Sequence, residues 1–254
     1  MSVTYLYCLV RSSRKPALRR VSGGVPGAGA LRALDAGDGL WLIVADVGPA
    51  GYSEQAIASG LQNLEWVSAR AVGHEAVIEE FLRAAAVLPM QLFTIFTTDA
   101  RALEYVGKNR RRIDRILGRV EGHVEWGVRL TWNEQGARAA VDEAHRSRRE
   151  RGGAAYLARK RDLRDVNRKQ LVEARARATR VFKDLSKHAS DAVRRTSTEQ
   201  AAPGSRLLLD AAYLVPRHRG AAFKTAVRKH AKDLAGAGVS ASLTGPWPAY
   251  NFIA

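Results

Sequence analysis

Apolar residues along this chain recur at two spacings, and the switches between them outline its elements. Val3-Thr4-Tyr5-Leu6-Tyr7-Cys8-Leu9-Val10 is apolar at odd and even positions alike, which predicts a strand buried on both faces. Gly23-Gly24-Val25-Pro26-Gly27 reads as a loop, Leu40–Ala45 as a second buried strand, and Gly48-Pro49 as its end. Ile57, Leu61, Leu64, Val67, Ala71, His74, Ile78, Phe81 and Ala85 then follow the helical period, giving one long amphipathic helix with Gly60 and Gly73 as weak points. Val87-Leu88-Pro89-Met90 stops that helix, and Leu92–Phe96 reads as a third strand. Thr98 or Asp99 caps a further helix, apolar at Leu103, Val106, Ile113, Ile116 and Val120 and basic at Lys108, Arg110, Arg111, Arg112, Arg115 and Arg119.

Glu121-Gly122-His123 marks a domain boundary, which divides the chain into residues 1–122 and 123–254. Beyond it Val124, Trp126, Val128, Leu130 and Trp132 alternate with less apolar residues, the period of a half-buried strand. Residues 136–147 read as helix, and Arg146–Gly153 as an exposed polar run. A long charged helix is expected over about 156–192, its narrow seam formed by Leu163, Val166, Gln170, Ala174, Ala178, Val181, Leu185 and Ala189. Thr196–Ser205 reads as linker, Leu207–Val215 as strand, the Phe223–Leu234 stripe as helix, and Val239–Leu243 as the last strand. The second half therefore suits an α+β sandwich of ferredoxin-like type.

The closing Thr244-Gly245-Pro246-Trp247-Pro248-Ala249-Tyr250-Asn251-Phe252 cannot continue as regular helix, because its prolines fix φ and remove donors. So rigid and aromatic an end is expected to dock, first as the lock of the second domain and otherwise against a partner.

Composition places the chain among globular proteins, with 46% hydrophobic and 26% charged residues. Cys8 is the only cysteine, so no internal disulfide exists. No apolar run approaches the roughly 18 residues of a membrane span, and the N-terminus runs straight into a strand, so a cytoplasmic protein is expected. Lys and Arg outnumber Asp and Glu by 41 to 25, a net charge of +16 that raises the question of acidic partners.

Candidate chemistry is sparse. The six histidines form no HxH, HExxH or Cys/His spacing, so no metal is expected. No nucleophile elbow, P-loop or dinucleotide fingerprint occurs, so neither a catalytic residue nor a cofactor site is expected, and an enzyme is the least supported class. His74 on its apolar stripe reads as a core histidine. Two classes remain open. The basic helices suit either a nucleic-acid-binding protein or a solvated, protein-binding face. Candidate partner contacts are Trp247, Tyr250 and Phe252 of the tail, and Arg110, Arg111 and Arg115 of the basic helix.

The order of these pieces resembles the gas vesicle protein F/L family. The resemblance rests on Tyr5–Val10, the helix carrying His74 that runs into Val87-Leu88-Pro89-Met90, and Glu125-Trp126-Gly127-Val128-Arg129-Leu130. It continues through Gly153-Ala154-Ala155-Tyr156-Leu157, Ala212-Tyr213-Leu214-Val215 and the Gly-Pro-Trp-Pro end. Departures are local. Leu92-Phe93-Thr94 stands where the family tends to have Phe-Gly-Thr, and Ala249 where a second proline is commoner. The resemblance implies a non-enzymatic, minor component of gas vesicle formation, located in the cytoplasm with the vesicles. Such a protein acts at nucleation and assembly, contacting the hydrophobic shell protein and other accessory proteins. It also implies two α+β domains, the C-terminal one a modified ferredoxin-like sandwich with an inserted long helix.

Overall fold

The structure, a computed structural model, describes residues 2–18, 23–133, 153–196 and 204–253, and of residues 153–167 only the backbone. The helix expected over 136–147, the polar run before Gly153 and most of the expected linker lie outside the described residues. The fold is α+β, with two antiparallel sheets and helices. It divides into two compact units, Met1–Val124 with Trp247–Ala254, and Glu125–Pro246.

In the first unit β1 (Val3–Arg11) is central. The sheet runs β2 (Arg32–Asp35), β3 (Leu40–Val47), β1, β4 (Ala86–Pro89), and β5 (Ile95–Phe96) also pairs with β1. A register shift between Leu6 and Cys8 inserts one residue into β1. Because side chains alternate, one extra residue exchanges the two faces beyond it. Tyr5 before the shift, Tyr7 within it, and Cys8 and Val10 after it accordingly share one cluster with Val77, Ile78 and Phe81. That cluster lies under α3 (Leu64–Glu79). The opposite face carries Thr4, whose hydroxyl donates to Asp99 at 2.8 Å, and Leu9, which borders Ile113. Both faces of β1 are thus covered, as its uninterrupted apolar run requires.

The helix expected over Ile57–Ala85 is in fact two. α1 (Pro49–Tyr52) leads into α2 (Glu54–Gly60), and α3 starts afresh at Leu64. Gly60 lies against the Trp66 ring, where a Cβ would come within 2.5 Å, and Asn63 Oδ1 accepts from Trp66 N–H at 3.0 Å to cap α3. Gly73, the other weak point, stays helical, and the loop carbonyl of Gly24 lies 2.2 Å from where a Cβ would stand, so the site has room only for glycine. The helix expected from Thr98 to Val120 also splits, into α4 (Asp99–Lys108) and α5 (Arg110–Val120). Asn109 between them leaves helical geometry, and its side-chain amide donates to Tyr105 O at 2.8 Å. Only Ile95–Phe96 of the expected third strand is strand, since Phe93 turns the chain with φ at 66°. Val87–Pro89, expected as a stop, belongs to β4, and β2 has no forerunner in the pattern.

In the second unit the strand order is β7 (Asp191–Arg194), β8 (Ser205–Pro216), β6 (His123–Asn133), β9 (Val239–Trp247). The long helix α6 spans Gly153–Ser186 and α7 spans Gly220–Ala235, so Asp191 and Ala192 belong to a strand and not to the helix expected to reach 192. Ala174, Ala178, Val181 and Leu185 are buried, as the seam predicts. Tyr213 on β8 packs between Phe182 of α6 and Phe223 of α7, with ring centroids 5.8 and 5.2 Å away. Asp210, buried on β8, accepts from Arg129 of β6 at 3.1 Å and from Arg195 Nε at 2.8 Å. A buried carboxylate needs such partners.

The aromatic end is a correction. Thr244–Trp247 forms the end of β9, and the last eight residues group with the first unit, not the second. Periodicity along the chain cannot show which distant surface receives a segment.

Two glycines on helices should respond with opposite signs to alanine. Gly118 in α5 has open space around it, so Gly118→Ala should stabilise by about 0.5–1 kcal/mol through helix propensity. Gly73→Ala should instead destabilise the first unit by about 1–3 kcal/mol, because the loop backbone must move. Urea titration followed by circular dichroism checks both.

Candidate interaction surface

β1 carries two tyrosines into the core, and their hydroxyls organise the loops around it. Phe93 N–H donates to Tyr5 Oη at 3.2 Å, and Val25 N–H donates to Tyr7 Oη at 3.1 Å. Tyr5 Oη stands 3.0 Å from His74 Nδ1, and His74 Nε2 stands 3.1 Å from Met90 O. A carbonyl only accepts, so Nε2 carries the proton and Tyr5 donates to Nδ1. The ring stacks on Tyr7 at 5.6 Å. Burial holds His74 below its ordinary pKa of 6.5, and burial pushes Tyr7 up to about 12. His74 is the core histidine that its position on the apolar stripe suggests.

The tail docks beside this network. Phe252 is 1% exposed, and Ala249 is also buried. Tyr250–Phe252 forms one 3-10 turn, which directs the Tyr250 hydroxyl to donate to Glu75 Oε2 on α3. Burial raises the pKa of Glu75 above its ordinary value, and its other oxygen has no hydrogen-bond partner. Tyr250 remains 36% exposed at the rim, and Trp247 is half-buried.

Two cavities, of 380 and 610 Å³, open on either side of Ile253. They share Pro89, Met90, Gln91 and Arg112 as well as Ile253, so they form one trough within the first unit. The smaller end is lined by Phe96, Tyr105, Ile113 and Ile116, the larger by Ala71, His74, Glu75 and Leu92. Beyond Ala71 the outer face of α3 is mixed, with Leu64 81% and Val72 69% exposed among Glu65, Ser68 and Glu79.

The arginines expected to act together on the basic helix separate into two groups. Arg110 turns inward, its Nη1 donating to Ala36 O at 2.9 Å and its Nε to Asp114 at 2.9 Å, so it clamps the β2–β3 turn. Arg111, Arg112 and Arg115 are exposed and make no ion pair among the described residues, and Arg112 borders both cavities. Arg112 and Ile253 are the residues that reasoning from sequence missed as candidates, and their helical face and terminal position were the available signals. Among the described residues, no group of three or more His, Cys, Asp and Glu could hold a metal ion.

The family model for "Gas vesicle synthesis protein GvpL/GvpF" matches residues 3–254. "Gas vesicle protein L" of Streptomyces sp. (strain CB03234) is 32% identical over 208 residues, 80% of this chain and 76% of that protein. Two crystal structures of gas vesicle protein GvpF share the fold. That from Anabaena sp. PCC7120 has a TM-score of 0.69 at 13% identity, covering 100% of this chain and 97% of its own. That from Microcystis aeruginosa has a TM-score of 0.66 at 14% identity, covering 100% of both chains.

Removing the buried ring in Phe252→Ala should destabilise the first unit by about 3–5 kcal/mol in a denaturant titration. His74 predicts the pH response. Its folded pKa lies below its unfolded one, so its contribution is complete above 6.5 and is lost as pH falls from there through the folded value. Unfolding free energies measured between pH 7.5 and 5 should fall by at most about 1.4 kcal/mol per pH unit from this proton. The neutral His74→Gln variant should lack that component.

Proposed function

Because this chain belongs to the gas vesicle synthesis protein GvpL/GvpF family, we propose that it is a minor, non-enzymatic accessory component of gas vesicle formation. It binds the hydrophobic shell protein and other accessory proteins during nucleation and assembly, in the cytoplasm and in association with the vesicles. The observation that carries this reading is the apolar lining of the trough by Met90, Leu92, Ile113 and Ile116, with Leu64 and Val72 also exposed on α3. A hydrophobic shell subunit aggregates unless its apolar surface is covered before assembly, and an apolar surface on a highly charged carrier suits that task.

The architecture of the second unit supports the same reading. Its order β7-β8-β6-β9, with α6 between β6 and β7 and α7 between β8 and β9, is that of a β-α-β-β-α-β sandwich. We read it as a modified ferredoxin-like domain in which α6 is the lengthened helix. Among the described residues no helix is long and apolar enough to cross a membrane.

Immobilised full-length protein should retain the shell protein well above an unrelated protein of matched positive charge, in buffer of physiological salt. Equal retention by the two would count decisively against the role, because it would leave only polycation behaviour.

A further inference from the structure

We propose that β9 is a self-pairing edge, and that two copies of this chain associate by laying β9 antiparallel against β9 about a two-fold axis at Ser242. The inference goes beyond the accessory role and does not depend on it.

An edge strand leaves a row of backbone N–H and C=O groups unpaired, and their chemistry calls for another extended strand. The other sheet edges are blunted. β2 and β7 are four residues long and carry Arg32 with Asp35 and Asp191 with Arg194, while β4 is also four residues long and ends at Pro89. Short length, charge and proline are the usual protections of an edge. β9 is different. It runs nine residues, Val-Ser-Ala-Ser-Leu-Thr-Gly-Pro-Trp, with no charged side chain and with β6 as its one neighbour among the described residues.

The register against β6 identifies the groups that point outward. Asn133 N–H donates to Gly238 O at 3.0 Å, and a Cβ on Gly127 would stand 2.5 Å from Thr244 Oγ1. Both pairs belong to one antiparallel register, so Gly238, Ser240, Ser242 and Thr244 turn their backbone groups to β6. Val239, Ala241 and Leu243 turn theirs outward, and each has an N–H to give.

Symmetry argues for a second copy as the occupant. Gly238, with φ at 69°, opens the strand, and Gly245, with φ at 109°, closes its regular part before Pro246. Gly238 stands four residues before Ser242 and Pro246 four residues after it. An antiparallel self-pair centred on Ser242 therefore uses the whole segment between the two breaks. Ala241 of each copy exchanges hydrogen bonds with Leu243 of the other, and Ser242 faces Ser242 in the close, non-hydrogen-bonded pair. The side chains suit that register. Ser240, Ser242 and Thr244 are exposed on one face, where Ser240 of one copy meets Thr244 of the other as a hydroxyl pair. Ala241 and Leu243, half-buried on the opposite face, cover each other. The uncharged strand also lets two chains of net charge +16 pair without setting like charges opposite one another. The contact is one strand edge of about 24 Å, so the dimer is weak and depends on concentration.

Sedimentation of the full chain should show its mass rise from one copy toward two with concentration, more readily at high salt, which screens the repulsion between chains. Because residue 242 meets itself, Ser242→Lys and Ser242→Asp should each weaken association several-fold, and an equal mixture of the two should recover it. Under mild oxidation Ser242→Cys should give a disulfide-linked dimer, since the facing Cα atoms stand about 4.5 Å apart. Ser240→Cys should not, because its two copies are four residues apart along the ladder, and the buried Cys8 does not compete. Val72→Ser on the exposed face of α3 should leave association unchanged. Circular dichroism on each variant checks that the fold is retained. A chain that stays monomeric at every concentration and salt overturns the proposal. So does wild-type association in Ser242→Lys, a mixture that recovers nothing, or loss of the dimer in Val72→Ser, which would move the contact to α3.

Discussion

The first unit depends on burying one strand, β1, on both faces while it carries two hydroxyl groups into the interior. Covering both faces requires α3 on one side and α4 and α5 on the other, which makes the unit a layered structure. The hydroxyls of Tyr5 and Tyr7 cannot remain unpaired in that interior without a cost comparable to a lost hydrogen bond. Each therefore recruits a loop. Tyr7 holds the glycine-rich loop through Val25, and Tyr5 holds both the Phe93 turn and His74. His74 in turn holds Met90, so α3, the end of β4 and the following turn become one connected framework. Gly73 is part of the same constraint, since the loop that Tyr7 holds presses against α3 at that point.

That framework also determines what is left outside. With one face of α3 committed to His74, Val77 and Ile78, its remaining apolar residues have no interior to enter. Leu64, Ala71 and Val72 stay at the surface, and Ala71 borders the trough with Met90 and Leu92, which the turn held by Tyr5 and His74 places there. The tail meets the same region. Phe252 is sunk into the unit and Tyr250 bonds Glu75, so the end of the chain becomes a built part of the surface. The exposed trough is therefore a consequence of how the core is satisfied.

The positive charge divides along similar lines. Arg110, Arg32 and Arg11 are consumed in holding the sheet to its helices, through Asp38 and Asp114, Asp46 and Asp99, and Asp114 respectively. In the second unit Arg129 and Arg195 are consumed by Asp210. The gross count of 41 Lys and Arg overstates what is available to a partner, because several of these guanidinium groups are internal struts, while the net +16 is untouched by such pairing. Among the described residues of the first unit, Arg111, Arg112 and Arg115 of α5 are exposed and make no ion pair, and Arg112 borders the apolar trough. Charge adjacent to an apolar groove gives orientation and partner choice more than affinity.

The amino-acid sequence by itself determined the element types wherever burial, of one face or of both, imposed a regular spacing. The all-apolar β1, the alternation of β6, the alanine seam of α6 and the family motifs from Tyr5 to Phe252 are local patterns, and local patterns are legible because side-chain spacing alone reports which face is buried. Tertiary structure alone decided the rest. The breaks at Gly60 and Asn109 arise from the Trp66 ring and from a side-chain amide bonding its own helix, contacts that periodicity does not encode. β2, with no apolar run of its own, exists because β3 offers it a ladder along Arg32–Asp35. The separation of Arg110 from Arg111, Arg112 and Arg115 depends on where the β2–β3 turn falls. The rigidity of the aromatic end was written in its prolines, but its place against Glu75 was not. A docking site is a property of two surfaces far apart along the chain, and only folding brings them together.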